Sequence, residues 1–270
     1  MNMKITFTQS YIQPTFCAKK KEIKKADDIQ RKAMKNFPMF SPAYLNEFYI
    51  LNGKGMEPKQ VRTRQIAQRL VYKINAGREY DDYDSKYSFA LGRKEVPFIR
   101  TLERIKKQKI GNCHEASIVA LAALAANGYT DAHRASLKLR GEFVDKKTNK
   151  VVFSKDYDVD HTFAMTAMNK ENPKENDYII LDPWMGFADS ISSAKQRYAK
   201  ITNPNKHKED LNNSFSLFRV DHFQETGELL DKSDLNVRFR ITFEKEKDYT
   251  QEDIKSLGRY ARMMYPHLCL

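Results

Sequence analysis

Three side chains of the types used in thiol catalysis lie in sequence contexts that suit their roles. Cys113 follows Gly111 and Asn112 and precedes the almost wholly apolar run 116–126. A run that apolar on all sides predicts a buried helix with Cys113 in its first turn. The N–H groups of that turn lack intrahelical partners and carry the positive end of the helix dipole, so they favour a thiolate and can receive an oxyanion. Cys113 is therefore a candidate nucleophile.

A catalytic thiol needs a base, and the base needs a group that orients it. His161 lies in segment 160–165, which reads as a strand. Asp182 ends the apolar segment 178–182, which reads as a buried strand closed by a proline. If the two strands pair, His161 and Asp182 can lie side by side on one face. The sequence thus predicts Cys113 as nucleophile, His161 as base and Asp182 as orienter. The structural alternatives are core packing for Cys113 and His161 and a strand-end turn for Asp182.

Residues beside the candidate triad have both functional and structural interpretations. Asn112 is a candidate for orienting a substrate carbonyl, or a polar loop residue. Trp184, the only tryptophan, either walls the site or packs in the core. His114 directly follows the thiol and should point elsewhere on the helix, which makes it a poor base. Glu115 is favoured in a first helical turn by the dipole, and a salt bridge to the sheet is its expected role.

Two carboxylates compete with Asp182 for the role of orienter. Asp158 and Asp160 flank His161 on the same predicted strand. Because side chains alternate along a strand, both should face the side opposite the imidazole. They therefore remain alternatives rather than the preferred partners.

The order of these motifs resembles the transglutaminase-like branch of the papain-like cysteine enzymes. That family has Gly-x-Cys opening a buried helix, His-x-aromatic on a strand and Asp-Pro on the next strand; the matching segments here are 111–113, 161–163 and 182–183. Asp-Pro-Trp looks more like the deamidase domains of bacterial toxins and effectors. The family's Gly-Ile-Pro-Ala-Arg after the helix is replaced by segment 128–132, which lacks the Pro and the Arg.

This resemblance spans roughly residues 105–190 and implies acyl transfer on protein or peptide amides. Glutamine deamidase, transglutaminase and cysteine protease activities share such a triad. No cofactor and no metal ligand set is predicted for this chain. Two alternatives stay open. Arylamine N-acetyltransferases also carry Cys-x-Glu on a helix, as in segment 113–115, although segment 109–112 replaces their Arg-Gly-Gly lead. A non-enzymatic basic interaction domain is the other.

Composition limits the classes of partner and compartment. The net charge is +12 among 270 residues, which makes nucleic acid and anionic membranes candidate partners. The basic residues are scattered among acidic ones and form no recognised nucleic-acid module, so no specific nucleic-acid partner is predicted. Cys17, Cys113 and Cys269 are too far apart in sequence for a metal-binding pair, and a disulfide framework is not expected.

No apolar segment approaches the length of a membrane span, and no apolar core of a secretory signal is found near the N-terminus. The sequence therefore predicts a cytoplasmic protein, or one exported by a route that needs no signal peptide. A reducing compartment agrees with the sparse cysteines.

Helical patterns come first and strand patterns follow, which predicts an α+β fold with a papain-like or transglutaminase-like core. The expected organisation is an irregular leader over 1–22, a helical N-terminal region over 23–95, and a catalytic core over 96–270 that ends in a helix. Individual predictions are a helix from Ser41, a helix from Pro58 that Gly77 ends, a hairpin of 137–143 with 151–153, a helix at 194–199, a loop at 202–213, strands at 215–220 and 237–243, and a helix from Thr250 to Met264.

Overall fold

A computed structural model describes residues 20–41, 58–90, 98–246 and 249–270, with side chains 65–81 described within the second helix. In these ranges the helices are α1 (Lys20–Asn36), α2 (Pro58–Ala90), α3 (Ile99–Gln108), α4 (Cys113–Ala126), α5 (Ile191–Ile201), α6 (Lys208–Thr226) and α7 (Gln251–Met264). The strands are β1 (His133–Asp145), β2 (Val151–Thr166), β3 (Ile179–Asp182), β4 (Phe187–Ser190) and β5 (Leu235–Lys245).

The five strands form one antiparallel sheet in the order β4-β3-β2-β1-β5. Strands β2 and β3 pair with Ala164 opposite Leu181, so the strand that carries His161 is the neighbour of the strand that ends at Asp182. The predicted α+β class and the predicted hairpin of β1 and β2 are confirmed.

The chain divides into two compact units. The α6 unit consists of 136–161 and 192–244, and the α4 unit contains the described residues of 17–135, 162–191 and 245–270. Strands β1 and β2 contribute residues to both units.

Helix α4 is the centre of the α4 unit. Every residue from Glu115 to Ala126 is buried, as the apolar run predicted. Helices α1, α3 and α7 and strand β3 surround it, with Ile29, Leu102, Leu257 and Leu181 in the shared core. The helix stops where Gly128 takes a φ of 86°, a conformation that glycine adopts without strain.

Helix α7 begins and packs as its sequence indicates. The Thr250 hydroxyl accepts a hydrogen bond from the Asp253 N–H at 3.2 Å, and the Asp253 carboxylate accepts one from the Thr250 N–H at 2.7 Å. This reciprocal pair satisfies two N–H groups at the helix start and confirms the predicted N-terminus. No described helix combines the length and apolar character that crossing a membrane requires.

The α6 unit overturns two predictions. Segment 215–220 was predicted as a strand and 202–213 as a loop, but α6 covers Lys208–Thr226 and a 3₁₀ turn covers Pro204–His207. Phe215 is buried in α6 and stacks on Phe143 of β1 with ring centroids 4.0 Å apart. Leu217 and Val220 are exposed instead of buried, and these outward apolar residues produced the misleading pattern.

The prediction that Gly77 ends a helix is also wrong, since α2 continues to Ala90. A Cβ atom at Gly77 would lie 2.8 Å from Cδ of Arg104. Gly77 therefore makes room for a side chain of α3 rather than terminating α2. Asp81 lies beyond Gly77 in the same helix and accepts a hydrogen bond from Arg104 at 2.9 Å.

Some predictions lie outside the described residues. These are the leader up to residue 19, which includes Cys17, and the helix expected after Ser41. Helix α1 begins at Lys20, inside the stretch predicted to be irregular. The predicted boundaries at 22/23 and 95/96 stay predictions.

Close packing of α7 on α4 gives a testable consequence. A Cβ atom at Gly258 would lie 2.4 Å from the carbonyl oxygen of Ala125. We expect Gly258→Ala to lower the free energy of unfolding by about 1–3 kcal/mol, because the two helices must separate to admit the methyl group. Urea unfolding would measure this, with the exposed Lys255→Ala of the same helix as control. A Gly258→Ala variant as stable as the wild type would contradict the close approach.

Candidate active site

The start of α4 is fixed by a side chain that folds back on it. Cys113 is the first helical residue and is half-buried, and Asn112 precedes it in an extended conformation. The Asn112 N–H donates to the Glu115 carboxylate at 2.9 Å, as expected for an acidic residue in the first turn. A Cβ atom at Gly111 would lie 2.6 Å from Cβ of Glu115, so glycine is needed there for space.

Glu115 is fully buried and is held by two arginines from neighbouring helices. Arg78 of α2 donates to both carboxylate oxygens at 2.7 Å, and Arg104 of α3 lies 3.5 Å from one of them. Burial opposes ionisation, but the hydrogen bonds and charge of Arg78 prevail and lower the pKa of Glu115 to about 2. The expected salt bridge exists, although its partners are helices α2 and α3 rather than the sheet.

Ser41 brings the two predicted positioning residues together. Its hydroxyl donates to Oδ1 of Asn112 at 3.1 Å and accepts from Nε1 of Trp184 at 2.9 Å. A parallel bridge between Phe40 and Ile110 holds this segment beside the start of α4. Local sequence predicted only a helix start at Ser41, because its partners are 71 and 143 residues away in the chain.

Asp182 is fully buried at the end of β3. Its Oδ1 accepts a hydrogen bond from the Met185 N–H at 3.0 Å, and its carbonyl accepts one from the Gly186 N–H at 2.8 Å. The carboxylate thus orders the turn that carries Trp184, which is the structural role considered for it from sequence. Through Trp184, Ser41 and Asn112, this turn is connected to the first residue of α4.

His161 belongs to the α6 unit and is 5% exposed. Its ring meets Tyr198 of α5 edge to face, with centroids 5.5 Å apart. Asp158 and Asp160 are exposed, in agreement with the prediction that they face the side opposite the imidazole. Asp158 forms an ion pair with Lys138 on that outer side.

His114 is held as a neutral ring, which agrees with its exclusion as the base. Arg134 places Nη2 2.8 Å from Nδ1 of His114. Burial and the positive charge of Arg134 lower the pKa of His114 to about 3. Arg134 is itself buried, donates to the Ser117 hydroxyl at 3.0 Å and pairs with Glu246 at 3.0 Å. Sequence alone gave no signal for this arginine.

Within the described ranges, no group of three or more His, Cys, Asp or Glu side chains is arranged to hold a metal ion. Comparison with protein-family models, with curated proteins and with solved structures finds no match. The description of the site therefore depends on this chain's own residues.

The buried charge of Glu115 should matter for stability. Glu115→Gln would leave two arginines beside a neutral amide, and breaking such a pair typically costs about 3–5 kcal/mol. We expect a loss of that order in the urea-unfolding free energy. Glu103→Gln is the matched control, because Glu103 is exposed on α3 and, among the described residues, accepts a hydrogen bond only from Tyr260. Equal losses in the two variants would show that the network contributes little.

Stability should fall as the pH drops below about 6.5. The pKa of His114 is lowered to about 3 and, through burial, that of His133 to about 4. Between these values and 6.5 the unfolded chain binds more protons, so each histidine reduces the free energy of unfolding by about 1.4 kcal/mol per pH unit. Urea midpoints from pH 7 to pH 4.5 measure the slope.

The variant His114→Gln keeps a hydrogen-bond acceptor for Arg134 but cannot titrate. In this variant the free energy of unfolding should depend less steeply on pH, by the equivalent of about one proton. In the double variant, with both His114→Gln and His133→Gln, the difference should be about two protons. An unchanged slope in the double variant would mean that other groups cause the acid sensitivity.

Proposed function

We propose that this protein is a cysteine-dependent acyltransferase or hydrolase acting on protein amides, with glutamine deamidation as the preferred reaction. One observation carries the proposal: Cys113 is the first residue of a buried helix, and Ser41 connects its N-cap Asn112 to Trp184, two residues after Asp182. The segment with the candidate nucleophile and the segment with the candidate orienter are therefore neighbours in the α4 unit.

The position of Cys113 supports its role as nucleophile. Its N–H lies in the first helical turn, where no intrahelical acceptor is available. The thiol is half-buried, so it differs from the inert cysteines that pack fully within cores. Glu115 and its arginines fix this turn, and a rigid backbone is what an oxyanion-binding N–H requires.

His161 and Asp182 are proposed as base and orienter within a transglutaminase-like core. The strands that carry them are neighbours, and both side chains are buried. Oδ1 of Asp182 accepts the Met185 N–H, which holds the carboxylate in a fixed orientation. The exposure of Asp158 and its pairing with Lys138 favour Asp182 over that competitor.

The proposed reaction begins with a Cys113 thiolate and an imidazolium at His161. Sulfur attacks the carboxamide carbon, and the oxyanion of the tetrahedral intermediate accepts the Cys113 N–H. The imidazolium protonates the leaving nitrogen as the C–N bond breaks, which releases ammonia or an amine and leaves a thioester. His161 then deprotonates the acceptor, and Asp182 holds the ring throughout.

The acceptor decides the overall reaction. Water acting on a glutamine thioester gives deamidation, an amine gives transglutamination, and water acting on a peptide acyl group gives proteolysis. Trp184 is half-buried and has its indole N–H committed to Ser41, so its proposed role is to wall the site and limit the access of water. Among these three reactions we favour deamidation, because Asp-Pro-Trp resembles the deamidase domains of bacterial toxins and effectors.

Alkylation by iodoacetamide tests the activated thiol. We expect Cys113 to be labelled faster than Cys269 at pH 6–7, as located by mass spectrometry, because a paired thiolate persists where an ordinary thiol is protonated. His161→Gln should abolish this selectivity. Asp182→Asn should weaken it, although asparagine keeps the oxygen that accepts the Met185 N–H.

His133→Gln is the matched control for replacing a largely buried strand histidine, and it should leave labelling unchanged. Circular dichroism and urea midpoints of all variants separate loss of folding from loss of activation. Labelling of Cys113 and Cys269 at equal rates, insensitive to His161→Gln in a folded protein, would remove the catalytic proposal. The basic interaction domain would then be the better interpretation.

Three readouts on denatured casein then identify the reaction: ammonia release, incorporation of a fluorescent amine, and new peptide termini. At least one should appear and be absent in Cys113→Ser. A selectively labelled Cys113 without any of these products, but acylated by acetyl-CoA, would favour the arylamine N-acetyltransferase-like alternative.

A further inference from the structure

Helix α6 exposes apolar side chains that its own unit does not cover. Leu211 and Phe215 are buried, as expected for the inner face of a packed helix. On the outer side, Leu217, Val220 and Phe223 are 71%, 55% and 50% exposed. Clustered exposure of this kind marks interaction surfaces more often than scattered single residues do.

Part of this surface is a groove with a volume of about 240 Å³. Val220 and Phe223 of α6 and Leu229 of the following segment line it, and the buried ring of Phe215 also contributes. Pockets for cofactors or drug-sized molecules usually measure roughly 300–1,000 Å³, so this groove suits one or two large side chains instead.

Two cations, Arg219 and Lys232, and the polar residue Ser216 also line the groove. Neither cation forms a hydrogen bond or an ion pair with any described residue, although Lys232 lies over the Phe143 ring. Five other cations of the α6 unit are ion-paired, namely Lys138, Arg140, Lys155, Arg238 and Arg240.

Acidic residues near the groove do not cancel its charge. Asp231 acts on Arg219 only through space, and its Oδ1 is already occupied by the Ser233 N–H at 2.8 Å. Asp221 and Glu225 are exposed on α6 but do not line the groove. Among the described residues, Arg219 and Lys232 have no hydrogen-bonded anionic partner, so the groove presents an apolar floor between two positive charges.

We propose that this groove binds a segment of a partner protein in which one or two large apolar side chains are flanked by carboxylates. Apolar anchors would fill the space beside Val220, Phe223 and Leu229, while the carboxylates would pair with Arg219 and Lys232. The surface lies wholly in the α6 unit and makes no use of Cys113, so it stands whether or not the protein is an enzyme.

Selection of peptides from a random twelve-residue phage library on the full-length protein tests this surface. We expect enrichment of sequences that place Asp or Glu beside Leu, Ile, Phe or Trp. Fluorescence polarisation with the enriched peptide should show affinity reduced about tenfold or more in Val220→Ser with Phe223→Ser, and in Arg219→Gln with Lys232→Gln. The charge variant should also lose the preference for acidic peptides.

Ile201→Ser and Lys147→Gln are matched controls, since both side chains are exposed in the α6 unit and neither lines the groove. Failure to enrich acidic apolar peptides, or equal binding by the groove variants, would overturn the proposal. The proposal would also be overturned if the protein bound anionic phosphatidylglycerol vesicles but no peptide, and if the groove variants abolished that vesicle binding. Alkylation of Cys113 in the groove variants reports on the proposed catalytic function separately.

Discussion

The buried carboxylate of Glu115 is the interaction on which the α4 unit depends. A charge without solvent is tolerated only when it is paired, and Arg78, Arg104 and the Asn112 N–H supply that pairing. Because the donors come from α2, α3 and the segment before α4, ionisation of one side chain requires three parts of the chain to be in place. The position of Cys113 is a consequence of this arrangement, two residues earlier in the same turn.

Helix α4 also shows how chemistry and packing share one element. Its first turn is polar and only half-buried at Cys113, whereas α1, α3, α7 and β3 enclose the remainder. The close contact of Gly258 with Ala125 leaves little freedom for α4 to shift towards α7. An N–H group intended for a developing charge benefits from such a fixed helix, because it needs little reorganisation during reaction.

Local patterns predicted the elements whose causes are local. The run 116–126 predicted a buried helix since no side of it is polar, and Thr250 predicted a helix start because its partner Asp253 lies within the same turn. Local patterns could not predict features that depend on contacts between residues far apart in sequence. Gly77 resembled a helix end, although its role is to accommodate Arg104, and Ser41 gave no sign of a partner at Trp184.

Helix α6 was predicted wrongly, as a loop and a strand, for a different reason. Its exposed apolar residues add to the buried ones, so the helical periodicity of a single face is obscured. Four of the six residues of 215–220 are apolar, and this short apolar run then resembles a strand. Val220 is one of these exposed residues, and it also lines the groove for which we propose a binding role.

The hydrogen bond from Trp184 to Ser41 has one practical consequence. Trp184 is the only tryptophan of the chain, so indole emission comes from a single ring located in the turn after Asp182. Spectral shifts of intrinsic fluorescence therefore report on the surroundings of the proposed active site rather than on an average over the molecule. The protein carries its own optical probe at the place where a bound substrate would displace solvent.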